Sequence, residues 1–549
     1  MENLIQNEEP RLVSASQGFS FLNTVEYKGR FLYSKYNPTK AVESLIEKTE
    51  ILPGTLILIF SPLLWHGLDK LLEKLPEDCS IIAIEADPKL EELARMKLGK
   101  SALWTETDIK IFNLDNASII ETEIKKCLST GKIKRSLRLD FSAGVQFSKD
   151  LYDYTALAIQ DIIGTFWKNR ITLVKFGRLF SKNLVSNLGR LGHSYLLEDV
   201  EKTVEKPILV LGAGEGLDAI DWSKTAREAF YIIAVDAALS PLLDSGIVPD
   251  AVAGMESQFA IQKAYTGTTE KIRKSQTTFF ADLSSRYQII DRLDTRTVFF
   301  ASRYTEGEFF ENLIRQGLIK NYILPMGSIG LAAFHIALRL RKDDSVEVYT
   351  AGLDFSYSVG FTHAKGTMAH KGRLIATNRT TPVENTDASF APGAGYILSK
   401  NGEKTVTTKL LSAYAQQFTR LFGKEKNTYD ASPTGMNLGL PQKSTEGIKA
   451  LQNHGGIKFP DEIESRTERT TEFIRNEIEA LETAKSLLSK GIESEHYDGG
   501  SIEEQIKNLL SQREYLFLHF PDGYRFSTDS SFLKRVRAEI DNFLKWLKY

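Results

Sequence analysis

The chain has 549 residues, 42% hydrophobic and 26% charged, with a net charge of −2. Its length exceeds one ordinary domain, its composition excludes a disordered or fibrous chain, and its balanced charge supplies no basic field for nucleic acid. Two cysteines, Cys79 and Cys127, make no disulfide framework and stand in no metal-ligand spacing.

The opening "MENLIQNEEPRLVSASQGF" is acidic and lacks the basic, apolar and small-residue order of a signal peptide. Apolar runs such as "ILPGTLILIFSPLLW" are broken by proline or glycine and are too short to span a bilayer. A cytoplasmic protein without a transmembrane segment is expected. In a first region, 1–203, strand "TLILIF" (Thr55 to Phe60), a helix and a strand ending in Glu85 and Asp87 make an α/β domain of nucleotide-binding shape. The loop after its first strand holds Leu63, Leu64 and Trp65, where a phosphate would need close backbone approach. The pattern from Asp150 to Val200 is mostly helical, and "LEDVEKTVEKP" connects onward.

The second region, 204–399, opens with "PILVLGAGEGLD". Ile208 to Leu211 reads as a buried strand, the loop carries Gly212, Gly214 and Gly216, and Asp218 to Ala229 has a helical pattern. Such a strand, loop and helix start aims N–H groups and a helix dipole at one spot, an anion cradle. The alternative is a turn that lets strand and helix pack closely. The dinucleotide fingerprint needs a third glycine at position 217, where Leu217 stands, so nucleotide binding is retained and NAD is not. A second strand ends in Asp236, at the distance where such folds place an acid on a ribose hydroxyl.

Strands near "TTFFADL", "RTVFFAS" and "SVEVYTAGLDFSY" alternate with helices such as "GSIGLAAFHIALRL", predicting an α/β fold around a mainly parallel, Rossmann-like sheet. The candidate ligand-binding residues fall at carboxyl ends of its strands: Gly212, Gly214, Glu215, Gly216, Asp236, Ser302, Gly327, Ser328, Gly352 and Phe355. His363, Asp354 and Glu256 are the candidate bases for activating a hydroxyl. Structural alternatives stand beside them: a loop-stabilising role for His363, a turn cap for Asp354, and helix capping for Ser328.

The third region, 400–549, is helical in pattern. "TVTTKLLSAYAQQFTRLF" and the charged "TEFIRNEIEALETAKSLLSK" predict a helical bundle, completed by "FLKRVRAEIDNFLKWLKY". The last is either a packed helix with a solvated basic face or a membrane-surface helix.

Taken in order, "GAGEGLD", "AVDAALSPLLDSGIVPDAVAGMES", "MGSIGLAAFHIAL" and "AGLDFSYSVGFTHAKGT" resemble the motility-associated factor (Maf) family of flagellin glycosyltransferases. That family shares its core with archaeal 6-hydroxymethylpterin diphosphokinase-like proteins. "GRFLYSKYNPTKAVE" and "NTYDASPTGMNLGLP" extend the similarity from about Gly29 to Pro441. The resemblance implies a sialyltransferase-like core and a cytoplasmic enzyme moving a nonulosonic, sialic-acid-like sugar from a CMP donor to serine or threonine of flagellin. It implies flagellin and the nucleotide sugar as partners, a role in flagellar assembly and motility, and no tightly bound cofactor. Two alternatives remain. A pterin diphosphokinase would need ATP and Mg²⁺ bridged by carboxylates such as Asp236 and Glu256; a non-catalytic flagellin-binding factor would need neither. Members of the family usually carry Pro and Ser where this chain has Glu215 and Gly216, and Asp where it has Glu256.

Overall fold

The computed structural model describes residues 9–16, 22–99, 108–305, 307–385, 393–450, 455–461, 466–493, 499–523 and 525–548. Most of the acidic opening segment lies outside them. Two compact units result: residues 1–175 with 518–525, and residues 176–517 with 526–549.

The first unit begins with an antiparallel meander, β1 (Arg11–Ser14), β2 (Asn23–Tyr27) and β3 (Arg30–Phe31). A four-stranded parallel sheet follows, built from β4 (Thr55–Phe60), β5 (Ser80–Glu85), β6 (Lys110–Asn113) and β7 (Arg135–Asp140) in the order β6-β5-β4-β7. Every residue of β4 is buried, as a continuous apolar run covered on both faces requires. The loop after β4 is filled by its own bulky side chains. Leu63 and Trp65 are fully buried at φ +42° and +58°. The Tyr33 hydroxyl donates to the Pro62 carbonyl and accepts from the Leu64 N–H, both at 3.2 Å. Glu85 is buried and accepts from the Tyr152 hydroxyl at 2.7 Å, while Asp87 caps the helix Pro88–Leu98.

The second unit is organised by eight parallel strands: β8 (Tyr195–Leu196), β9 (Ile208–Leu211), β10 (Tyr231–Val235), β11 (Ala251–Gly254), β12 (Thr278–Asp282), β13 (Thr297–Phe300), β14 (Val348–Ala351) and β17 (Thr428–Asp430). Between the last two runs a hairpin, β15 (Ala394–Leu398) with β16 (Lys404–Thr408). The order β17-β14-β9-β10-β11-β12-β13-β8 is parallel throughout. The chain steps outward from β9 to β13, then crosses back to place β14 on the far side of β9. A reversal of this kind opens a crevice at the carboxyl ends of β9 and β14. The sheet extends past residue 399, because β17 pairs with β14 and its Asp430 lies opposite Thr350.

The crossover helix Ile329–Leu340 packs on β9, β10 and β11 with most of its residues buried. Phe334 stacks on Phe418 and Phe422 of the helix Lys409–Phe422, at centroid distances of 4.8 and 5.1 Å. One expected helix does not form. After Gly214 the chain makes a 3₁₀ turn, Glu215–Leu217, then runs in turns to a second 3₁₀ turn, Arg227–Ala229, just before β10. The Asp221 carboxylate accepts from Ser223 N–H at 3.0 Å and Ser223 Oγ at 2.6 Å, local bonds that compete with helix formation.

The helices Thr467–Glu493, Gly499–Ser511 and Ser530–Lys548 pack as a bundle. Phe532, Val536, Ile540 and Phe543 of the last are fully buried, so its apolar face belongs to the bundle and not to a membrane surface. Among the described residues no helix is long and apolar enough to cross a membrane.

Candidate functional site

The crevice between β9 and β14 gathers most of the expected residues, and it is tightly knit. Gly212 and Gly352 leave their strands side by side. A Cβ on Gly212 would stand 2.2 Å from the Gly352 carbonyl oxygen, and one on Gly352, at φ +72°, would stand 2.5 Å from that of Gly212. Leu353 packs where Cβ atoms on Gly212 and Gly330 would fall, bringing the "GSIG" turn to the same place. Glycine is required here by the close approach of two backbones.

That approach consumes the amides expected to hold an anion. Gly212 N–H donates to Ala351 O at 2.8 Å, Gly214 N–H to Gly352 O at 2.9 Å and Gly216 N–H to Asp354 Oδ2 at 2.7 Å. The cradle expected from Gly212, Gly214 and Gly216 is therefore not open: their N–H groups hold the loop after β9 to the loop after β14. With the helix over 218–229 absent, no dipole points there either.

An uncapped helix start lies close by. Ser328 precedes the helix Ile329–Leu340 at φ −131°, makes no side-chain cap bond, and follows the exposed Gly327. The capping role for Ser328 is thus not realised, and the first turn of this helix presents its N–H groups without a side-chain acceptor from the cap position.

Asp354 is 3% exposed. Burial pushes its carboxyl up to about 6, against the pull of the Gly216 N–H, Lys400 and Ser432. The next residue, Phe355, is non-glycine at φ +48°, a left-handed conformation that costs on the order of 1–3 kcal/mol. It is held by burial and by Thr407 Oγ1, which donates to its carbonyl at 2.8 Å. Ser432 and Gly435, beyond β17, complete the wall. Ser432 Oγ accepts from Gly352 N–H at 2.9 Å, and a Cβ on Gly435 would meet Asp354 at 2.8 Å. Below them Lys400 and Asp430 form a buried ion pair.

Glu215 turns away from any ligand in the crevice. Its carboxylate accepts from Ser358 N–H at 2.8 Å and Ser358 Oγ at 3.0 Å, tying the excursion after β14 over the glycine loop. Ala364 N–H adds a bond to Ala213 O at 2.8 Å, and Lys365 N–H reaches the Asp218 carboxylate at 3.0 Å. His363 sits within this strap, half-buried, its Nδ1 3.0 Å from Thr362 Oγ1. Burial, with a smaller contribution from the charge of Arg373, keeps it below the usual histidine range, so the imidazole is neutral at pH 7.

A second cluster stands at the ends of β10, β11 and β12. Asp236, Glu256, Tyr265, Ser285 and Arg286 line a crevice of about 10 Å³, room for one water molecule. Asp236 is 5% exposed, and burial pushes it up to about 7 although Ala237 N–H donates to it at 2.7 Å. Tyr265 Oη and Arg286 Nε are buried there without hydrogen-bond partners. Glu256 accepts from Gln258 N–H at 2.9 Å, a turn-forming bond. Ser302 lies one strand further out, its N–H donating to Asp282 Oδ2 at 2.8 Å. Tyr265, Arg286, Arg373 and Lys400 carry no local signature in the sequence.

Residues 180–360, which carry the glycine loop, Asp354 and the second cluster but not His363, Lys400 or Ser432, match the family described as "6-hydroxymethylpterin diphosphokinase MptE-like". An uncharacterized protein of Treponema pallidum (strain Nichols) is 30% identical over 565 aligned positions, covering 98% of this chain and 95% of that protein. The chain belongs to the Maf/MptE-like family. The solved structure of a Maf glycosyltransferase from Magnetospirillum magneticum AMB-1 shares the fold at a TM-score of 0.56 and 12% identity, over 98% of this chain and 91% of that one. In this Maf/MptE-like chain the fold shared with that structure extends well beyond the 180–360 core.

Proposed function

We propose that the chain is a glycosyltransferase that takes a nonulosonic sugar from a CMP donor and places it on a serine or threonine hydroxyl of flagellin. The observation that carries this reading is the match in fold along 98% of the chain to a Maf glycosyltransferase, because the flanking regions have no evident use for a small pterin. The N–H groups of Ile329 and Gly330, at the start of the crossover helix, stabilise the charge left on the departing nucleotide phosphate, while that of Ser328 is held by the Met326 carbonyl. His363, neutral at pH 7, accepts the proton of the attacking hydroxyl. Asp354 positions the two loops by accepting from the Gly216 N–H.

The test is release of cytidine monophosphate by the purified chain, with and without flagellin. Acceptor-dependent release is expected, with an acid limb in kcat/KM below pH 6.5, where His363 takes up its proton. His363→Gln should lower the rate about 10²–10⁴-fold and remove that limb. An unchanged flagellin mass in a strain lacking the gene would refute the assignment. Magnesium-dependent diphosphorylation of hydroxymethylpterin would replace it.

A further inference from the structure

The helix Met368–Ala376, capped by Thr367, lies over the strand ends that carry the site. Its Lys371 donates to Ser240 Oγ and Asp244 Oδ2, both at 2.8 Å, just after Asp236, and the turn before it packs Gly366 on Pro241. Arg373 on this helix is half-buried, near Tyr357 and His363, and its Nη1 is fully buried with no hydrogen-bond partner. Among the described residues no carboxylate pairs with it. Elsewhere Arg138, Arg303, Arg341, Arg466 and Arg513 each lie against a carboxylate. Leaving a guanidinium N–H buried and unbonded is costly, and a group kept at that cost beside a binding crevice suits an anionic ligand.

We propose that Arg373 is the oxyanion-holding residue of the central site, taking a phosphate or a carboxylate of the incoming substrate beside His363. This rests on the glycosyltransferase reading, whose donor carries both groups: the nucleotide phosphate and the carboxylate of the acid sugar. A planar fork matches either one with two parallel hydrogen bonds.

Calorimetric titration of the full chain with cytidine, cytidine 5′-monophosphate, N-acetylneuraminate and inorganic phosphate, in wild type, Arg373→Lys and Arg373→Met, separates the outcomes. Arg373→Met should weaken an anionic probe about 10- to 100-fold, with Arg373→Lys between, and leave cytidine unchanged. Loss confined to cytidine monophosphate and phosphate identifies the phosphate as the group held, and loss confined to N-acetylneuraminate identifies the carboxylate. Without ligand, Arg373→Met should melt no lower than wild type, since the buried Nη1 has no hydrogen-bond partner among the described residues. Binding of phosphate or N-acetylneuraminate through Arg373, with no binding of either cytidine compound, would keep this assignment and remove the nucleotide-sugar reading. Wild-type affinity of Arg373→Met for every anionic probe, no binding of any of them by wild type, or a melting temperature lowered by several degrees would overturn it.

Discussion

Two residues, one from each cluster, do work different from what their type suggests. Gly212 reads as a phosphate-loop glycine, yet its space is taken by Gly352 O at 2.2 Å from an added Cβ. Gly212→Ala should therefore destabilise the protein by roughly 1–3 kcal/mol, seen as a lower urea midpoint before any assay of binding. Its sequence neighbours gave no hint of this, because the partner backbone arrives 140 positions later. Asp236 reads as a ribose acid, and its burial adds a pH dependence. Its folded value of about 7 lies above the ordinary 3.8, so the native state binds the extra proton, and this contribution to stability is lost as pH rises from about 4 through 7. Asp236→Asn keeps the neutral form at all pH. The variant should match wild type near pH 3.5 and exceed it by roughly 1–4 kcal/mol near pH 8, read from paired urea curves. A gap that narrows with rising pH would contradict the assignment.

Strands were the most legible elements. The runs Thr55–Phe60, Ile208–Leu211 and Tyr231–Val235 are buried along their whole length and almost wholly apolar, as strands covered on both faces must be, and the last two are legible with the glycine and the acid that follow them. The helix expected over 218–229 was not, because Asp221 and Ser223 satisfy the backbone locally where periodicity alone favoured a helix. The hairpin β15–β16 and strand β17 are not legible in the pattern: β17 has three residues, β15 (AGYIL) is interrupted by glycine, and Thr405–Thr408 of β16 leads straight into the helical run that follows. They matter nonetheless, since Lys400 in the turn of the hairpin and Asp430 at the end of β17 join as a buried pair, 8% and 3% exposed, underneath Asp354. Lys400→Met should cost about 3–5 kcal/mol by leaving Asp430 buried and unpaired. Lys400→Met combined with Asp430→Asn should recover much of that loss, and a double-mutant cycle in urea measures the difference.

On the scale of the whole molecule, the central sheet draws its strands from Tyr195 to Asp430. A fragment cut to 204–399 would lack β8 and β17, and with the helix Lys409–Phe422 it would lose the aromatic cover of Phe334. Such a fragment is expected to show weak near-ultraviolet dichroism and to bind a hydrophobic dye, whereas residues 176–549 should retain a cooperative transition. The overall architecture was readable because order and alternation of elements survive at this scale. The occupancy of the glycine loop was not, because it depends on contacts between distant segments. Those contacts also impose an order in time. Ser432 and Gly435 wall in Asp354, so a growing polypeptide still on the ribosome has no finished crevice until these residues have left the exit tunnel.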